Sequence, residues 1–181
     1  MILQDIINII ESVAPLSYQE SWDNSGLQVG DRNAEVHAAL LTVDVTESVV
    51  NEAVNKRCDL IISHHPLLFH GLKHLTGETP QERCVEIAIR HNIAIYSSHT
   101  AMDAYIHGVS GKIADKLGIN HYQILCPTTE QNIGLGVIGN LNNPMNSDDF
   151  IHFVQKVFDC SLRYIEPPTK QITTVAICGG A

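Results

Sequence analysis

The tetrapeptide Ser63-His64-His65-Pro66 sets two imidazoles side by side, directly after the apolar run DLIIS. Neutral imidazoles are good ligands for zinc, iron, nickel or manganese. A second apolar run, IAIYS, leads into Ser98-His99-Thr100-Ala101-Met102-Asp103, which adds a third imidazole and a carboxylate. Both clusters follow runs that read as buried strands. In an open α/β sheet, ligands bind in the crevice at the carboxyl ends of the strands, so the two loops are expected to converge on one metal centre. Adjacent strand residues point to opposite sides, so His64 and His65 meet at one ion only if the chain bends there. Two ions sharing a bridging carboxylate relax that demand. His99 and Asp103 stand four apart, a helical spacing, but the segment reads as a loop; a ligand-supporting or substrate-contacting role for His99 weighs as much as ligation. Asp44, at the end of the run HAALLTVDV, is either a third group on the same sheet edge or a turn acceptor ahead of a helix. Trp22-Asp23-Asn24 reads as a packed aromatic beside an Asx turn, or as pocket lining.

The elements that must position these residues alternate. Residues 2–13 carry Ile2, Ile6, Ile9 and Val13 at helical spacing, with Leu3 and Ile10 widening the stripe, and should form an amphipathic helix ending before Pro15. The turn-rich stretch 21–26 reads as a loop, with a possible short strand before Gly30. From residue 37, HAALLTVDV, TESVVNEAVNK and DLIIS read as a βαβ unit whose helix is capped by Thr46. In TPQERCVEIAIRHN, Thr79 is the N-cap, Pro80 the first helical residue and Glu82 the third, a capping box. VSGKIADKLG reads as a helix stopped by Gly118. After Pro127, Thr128 and Thr129 the pattern restarts: IGLGVIGNL as a strand, SDDFIHFVQKVF as a helix capped by Ser147, then SLRYI and ITTVAIC as strands. The reading is α/β: two interleaved α/β units with mainly parallel or mixed sheets, divided as residues 1–126 and 127–181, the second incomplete because the chain stops in a glycine turn.

The 181 residues allow one ordinary domain or slightly more. With 44% hydrophobic and 17% charged residues the chain is of globular type and not disordered. A net charge of −9 repels nucleic-acid phosphates and argues against nonspecific DNA or RNA binding. The longest apolar runs are four residues (AALL, IAIY and VAIC), against the roughly 20 that span a bilayer. MILQDIINII lacks the basic start of a secretory signal, and five cysteines without a CxxC pair point to neither a disulfide framework nor a thiolate zinc site. A reduced, cytoplasmic protein is expected.

In order and spacing, WDNSGLQVG, LTVDVT, ISHHPLLF and SSHTAMDA resemble the Ngg-interacting-factor-three-like family. Its members are labelled dinuclear metal centre proteins or GTP cyclohydrolase I type 2 homologues. The resemblance implies that His64, His65 and Asp103 bind metal, while His99 and Asp44 line the same cleft. It implies two divalent ions per complete site and a toroidal homo-hexamer with those sites facing its interior. Family members continue past the glycine turn to a His and a Glu in an HxxxE arrangement, so the resemblance implies that this chain carries half of the metal site.

The function expected on this basis is metal-dependent hydrolysis of a small nucleotide-like or phosphorylated substrate, with His99 contacting the substrate or transferring a proton. The alternative, from another class, is a non-catalytic metal-binding scaffold or protein-interaction module.

Overall fold

The computed structural model describes residues 1–128, 132–166 and 170–179. The chain divides into two compact units, Met1–Met102 and Asp103–Ala181. Cys126 and Pro127, where the sequence pattern places the division, instead lie in a strand of the second unit. Thr129 and the terminal residues Gly180 and Ala181, parts of the expected linker and glycine turn, lie outside the described residues.

In the first unit, helix α1 (Leu3–Val13) precedes strand β1 (Gly26–Val29), β2 (Ala39–Thr42), α2 (Glu47–Lys56), β3 (Leu60–Ser63), α3 (Pro80–Arg90) and β4 (Ala94–Ser97). The sheet runs β1-β4-β3-β2; β2, β3 and β4 are parallel, and β1 joins antiparallel at the edge. The period-2 rule assigns the two faces. Ile61 and Ile95 enter a core with Val50, Ala53, Cys84 and Ala88 from α2 and α3. Leu60, Ala94 and Tyr96 enter another with Leu3 and Ile7 from α1. Leu60 and Ile61 are fully enclosed, each contributing about 1.5–3 kcal/mol by burial. The buried stripe of α1 is Leu3, Ile6, Ile7 and Ile10, which differs from the expected one: Ile9 and Val13 face outward. The observed set follows i, i+3, i+4, i+7 and so covers one continuous face.

The helix starts match their sequence signals. Thr46 Oγ1 accepts from Val49 N at the head of α2, and Thr79 Oγ1 accepts from Glu82 N at the head of α3. The Glu82 carboxylate extends the second cap by accepting from Thr76 N, Thr76 Oγ1, Glu78 N and Thr79 Oγ1. These bonds, led by Thr76 N, hold its carboxyl down at about 2.

Helix α4 (His99–Ala104) follows β4 and crosses the division between the units. The second unit continues with α5 (Val109–Lys116), β5 (Tyr122–Pro127), β6 (Gly134–Asn146), α6 (Ser147–Phe158) and β7 (Gln171–Ile177). Its sheet, β5-β6-β7, is antiparallel throughout; with the mixed sheet of the first unit it gives the expected α/β class in its mixed form. The short connection from β5 to β6 permits antiparallel pairing, whereas β6 and β7 pair antiparallel across a longer connection that contains α6. Ala114, Leu117 and Ile119 pack with Val137 and Ile177. Asn146, not Ser147, caps α6: its side chain accepts from Asp148 N at 2.9 Å. SLRYI forms no strand; Ile165 is 92% exposed. Among the described residues no helix is long and apolar enough to cross a membrane.

Candidate metal and substrate site

The C-terminal tips of β3 and β4 are neighbours, with Ser63 paired to Ser97 in the parallel register. Both serines are buried, and their hydroxyls meet at 2.8 Å. Ser63 Oγ also lies 2.8 Å from the carbonyl oxygen of His65, only two residues on, and Ser97 Oγ reaches the same oxygen at 3.4 Å. A serine bonded to its own chain at this short range bends it. The bend brings the His64 and His65 rings onto one side, with centroids 4.9 Å apart, which an uninterrupted strand would not allow.

His99, at the start of α4, completes a triangle of imidazoles. Its ring centroid lies 5.5 Å from that of His64 and 5.6 Å from that of His65. The segment expected to be a loop is therefore a helix, and its start is stabilised from elsewhere. Asp23 accepts from Thr100 N at 3.1 Å and from Thr100 Oγ1, satisfying backbone and hydroxyl donors in the first turn. Asp103 lies in the same helix, one turn beyond His99.

The His65 and His99 imidazoles rest on carboxylates. His65 Nδ1 is 2.7 Å from Asp44 Oδ1, and His99 Nδ1 is 2.8 Å from Asp23 Oδ1. The pairs differ in setting: the Asp44 side chain is 64% exposed, whereas that of Asp23 is 0% exposed and that of His99 13%. Burial alone would raise the Asp23 carboxyl. Hydrogen bonds from His99, Thr100, Ser25 and Asn24 outweigh it and lower the group from 3.8 to about 2. Asp23 is thus an ionised, fully enclosed acceptor beside His99.

The Asp23 loop also carries the exposed indole of Trp22. Its ring centroid is 6.0 Å from Phe69 and 6.1 Å from His99, and Phe69 is 6.4 Å from His99. Asn24 Nδ2 donates to Leu68 O, and Leu68 N donates to Gln28 Oε1, which ties this loop to the one following His65. Two exposed aromatic rings therefore flank the imidazoles.

Sequence reasoning found His64, His65, His99 and Asp44, which gather here. Asp23 reads there only as part of an Asx turn or a pocket lining. The signal in the sequence is its place between a tryptophan and an asparagine, because its partners at the site, His99 and Thr100, lie 76 and 77 positions away. A wide depression of about 790 Å³ in the second unit is lined by polar groups such as His107, Asp115, Tyr122 and Asn140. It lacks the gathered imidazoles and paired carboxylates of the strand tips. Among the described residues, no three His, Cys, Asp or Glu side chains surround a common point as metal ligands do.

The family model for Duf34/NIF3 (NGG1p interacting factor 3) matches residues 1–181. A "GTP cyclohydrolase 1 type 2 homolog" of Clostridium acetobutylicum is 35% identical over 182 residues, 99% of this chain and 68% of that protein. "NIF3-like protein 1" of Rattus norvegicus is 44% identical over 119 residues, covering 65% of this chain and 32% of its own length. The crystal structure of Staphylococcus aureus protein SA1388 superposes on all of this chain and 73% of its own, with a TM-score of 0.90 and 28% identity. By the family model over residues 1–181 and by a relative 35% identical along nearly all of its length, the chain belongs to the Duf34/NIF3 (NGG1p interacting factor 3) family.

Proposed function

We propose that this chain provides a metal-dependent, hydrolase-like site for a small nucleotide-like or phosphorylated substrate. In this reading His64, His65 and Asp103 hold divalent metal, and His99 contacts the substrate or moves a proton. The observation that carries it is the gathering of three imidazoles after two adjacent parallel strands, with His65 Nδ1 and His99 Nδ1 on carboxylates. That pairing supports metal-binding and proton-transferring histidines because it orients the ring and leaves Nε2 for the working contact.

The donor types suit zinc, iron, nickel or manganese. The imidazoles supply part of a coordination shell, since no three ligand side chains converge among the described residues. A divalent ion bound there supplies acidified water, lowering its pKa from 15.7 toward about 7. The remaining work belongs to the chain itself. Ser63 and Ser97 fix the bend that aligns His64 and His65, and Asp23 orients His99. Trp22 and Phe69 offer ring faces against which a planar base can stack. The names of the relatives, GTP cyclohydrolase 1 type 2 homologs, point to the same substrate class. The proposal extends to two ions per complete site and to a homo-hexamer.

The test is a turnover screen with nucleotides, phosphoesters and cyclic amides in the presence of each metal, on wild type and His65→Ala. Metal-stimulated turnover that His65→Ala abolishes supports the reading; undiminished turnover in the variant overturns it. Oligomer dissociation on chelation with no turnover on any substrate would favour a scaffold instead.

A further inference from the structure

We propose that Asp23 is the positioning residue of His99: it holds the proton on Nδ1 and delivers Nε2, unprotonated, to the imidazole cluster. This rests on the proposal that His99 faces substrate, but its structural content does not depend on any turnover.

Asp23 Oδ1 lies 2.8 Å from His99 Nδ1 and also accepts from Asn24 N at 2.6 Å. Oδ2 accepts from Thr100 N at 3.1 Å, from Ser25 Oγ at 2.7 Å and from Thr100 Oγ1. Every neighbour of this carboxylate is a donor. A carboxylate so surrounded presents only lone pairs, so the imidazole nitrogen facing it must bring a hydrogen. In a neutral ring that leaves Nε2 as the acceptor, the atom able to take a proton from a nucleophile or to bind a cation. The ring of a free histidine side chain prefers its proton on Nε2, so the arrangement works against the ring's own preference.

Ring and carboxylate are both fixed. The Asp23 side chain is wholly enclosed, and Thr100 Oγ1 accepts from Glu20 N at 3.0 Å, so Glu20, Asp23 and Thr100 are interlocked. The Thr100 N–H that Asp23 accepts belongs to the residue after His99, so one carboxylate sets both the backbone from which the ring springs and the ring's orientation. His65 and Asp44 make the same kind of contact at 2.7 Å, but on the surface, where water competes for the carboxylate.

Long-range ¹H–¹⁵N correlation spectra of the intact, metal-free chain at pH 8 read the tautomer of each imidazole. In wild type, His99 should give the Nδ1–H pattern. Asp23→Ala should lose it, with Nε2–H predominating, while Thr100→Val, which removes only the hydroxyl, should retain it. A proton on His99 Nε2 in wild type overturns the inference without need of any variant, as does an unchanged His99 tautomer in Asp23→Ala. If His99 shows the Nδ1–H pattern but the chain hydrolyses nothing, the positioning role stands and the hydrolase proposal falls.

Discussion

His99 Nδ1 lies 2.8 Å from Asp23 Oδ1 across 76 positions of sequence, joining the loop before β1 to the helix after β4. The contact is enclosed: 0% of the Asp23 side chain and 13% of the His99 side chain reach solvent. It should make the first unit sensitive to acid.

The Asp23 carboxyl is lowered from 3.8 to about 2 in the folded chain. A depressed carboxyl stabilises the fold fully above its unfolded value, and that contribution is lost as pH falls from 3.8 through about 2. At 1.36 kcal/mol per unit the loss is about 2 kcal/mol. Urea unfolding of wild type should weaken over this range, and Asp23→Ala should show a shallower pH dependence there. Parallel curves for the two proteins would contradict the assignment.

The two aspartate–histidine pairs should respond unequally to the same change. Asp44 is exposed, and surface pairs contribute about 0–1 kcal/mol. Asp44→Ala should therefore barely move Tm, while Asp23→Ala should lower it clearly, because it leaves the part-buried Thr100 N–H and the mostly enclosed His99 ring without their acceptor. Calorimetry of the two variants decides the matter.

Ser63→Ala removes the hydroxyl that bends the chain toward His65 O and leaves Ser97 with a single, longer bond to that carbonyl. The expected cost is about 1–3 kcal/mol. The amides of His64 and His65, bonded to Thr42 O and Val43 O, should exchange faster with deuterium. Unchanged protection at both would show that the bend is held by other means.

In the second unit, Gly111 lies inside α5, where alanine would ordinarily add about 1 kcal/mol of helix stability. Here a Cβ would stand 2.1 Å from the carbonyl oxygen of Ile106, a backbone atom that cannot rotate away. The collision outweighs the propensity, so Gly111→Ala should destabilise by about 1–3 kcal/mol. Gly71→Ala, with open space around the added methyl, is the control. Thermal melts of both variants provide the check.

What was legible in the sequence was local. Thr46 and Thr79 announced helix starts that the structure reproduces, and the apolar runs at Leu60–Ser63 and Ala94–Ser97 became the central parallel strands. The histidines followed those strands directly, so their gathering was visible too. What escaped depended on distant partners. Helix α4 owes its start to Asp23, which no window of neighbouring residues contains. Strand β5, Tyr122–Pro127, went unseen because its short apolar core becomes a strand only by pairing with β6. SLRYI has strand-like residues, yet the described structure gives it no ladder, and Ile165 stays in solvent. Propensity proposes a strand; an accepting edge makes one.

The pairing of Ser63 with Ser97 across β3 and β4 couples the two histidine loops mechanically. If one strand slid along the other by a single residue, the hydroxyls would separate and the imidazoles would be displaced together, not singly. The imidazoles are thus placed as one set, and a sequence change deep in either strand can disperse them without touching a histidine.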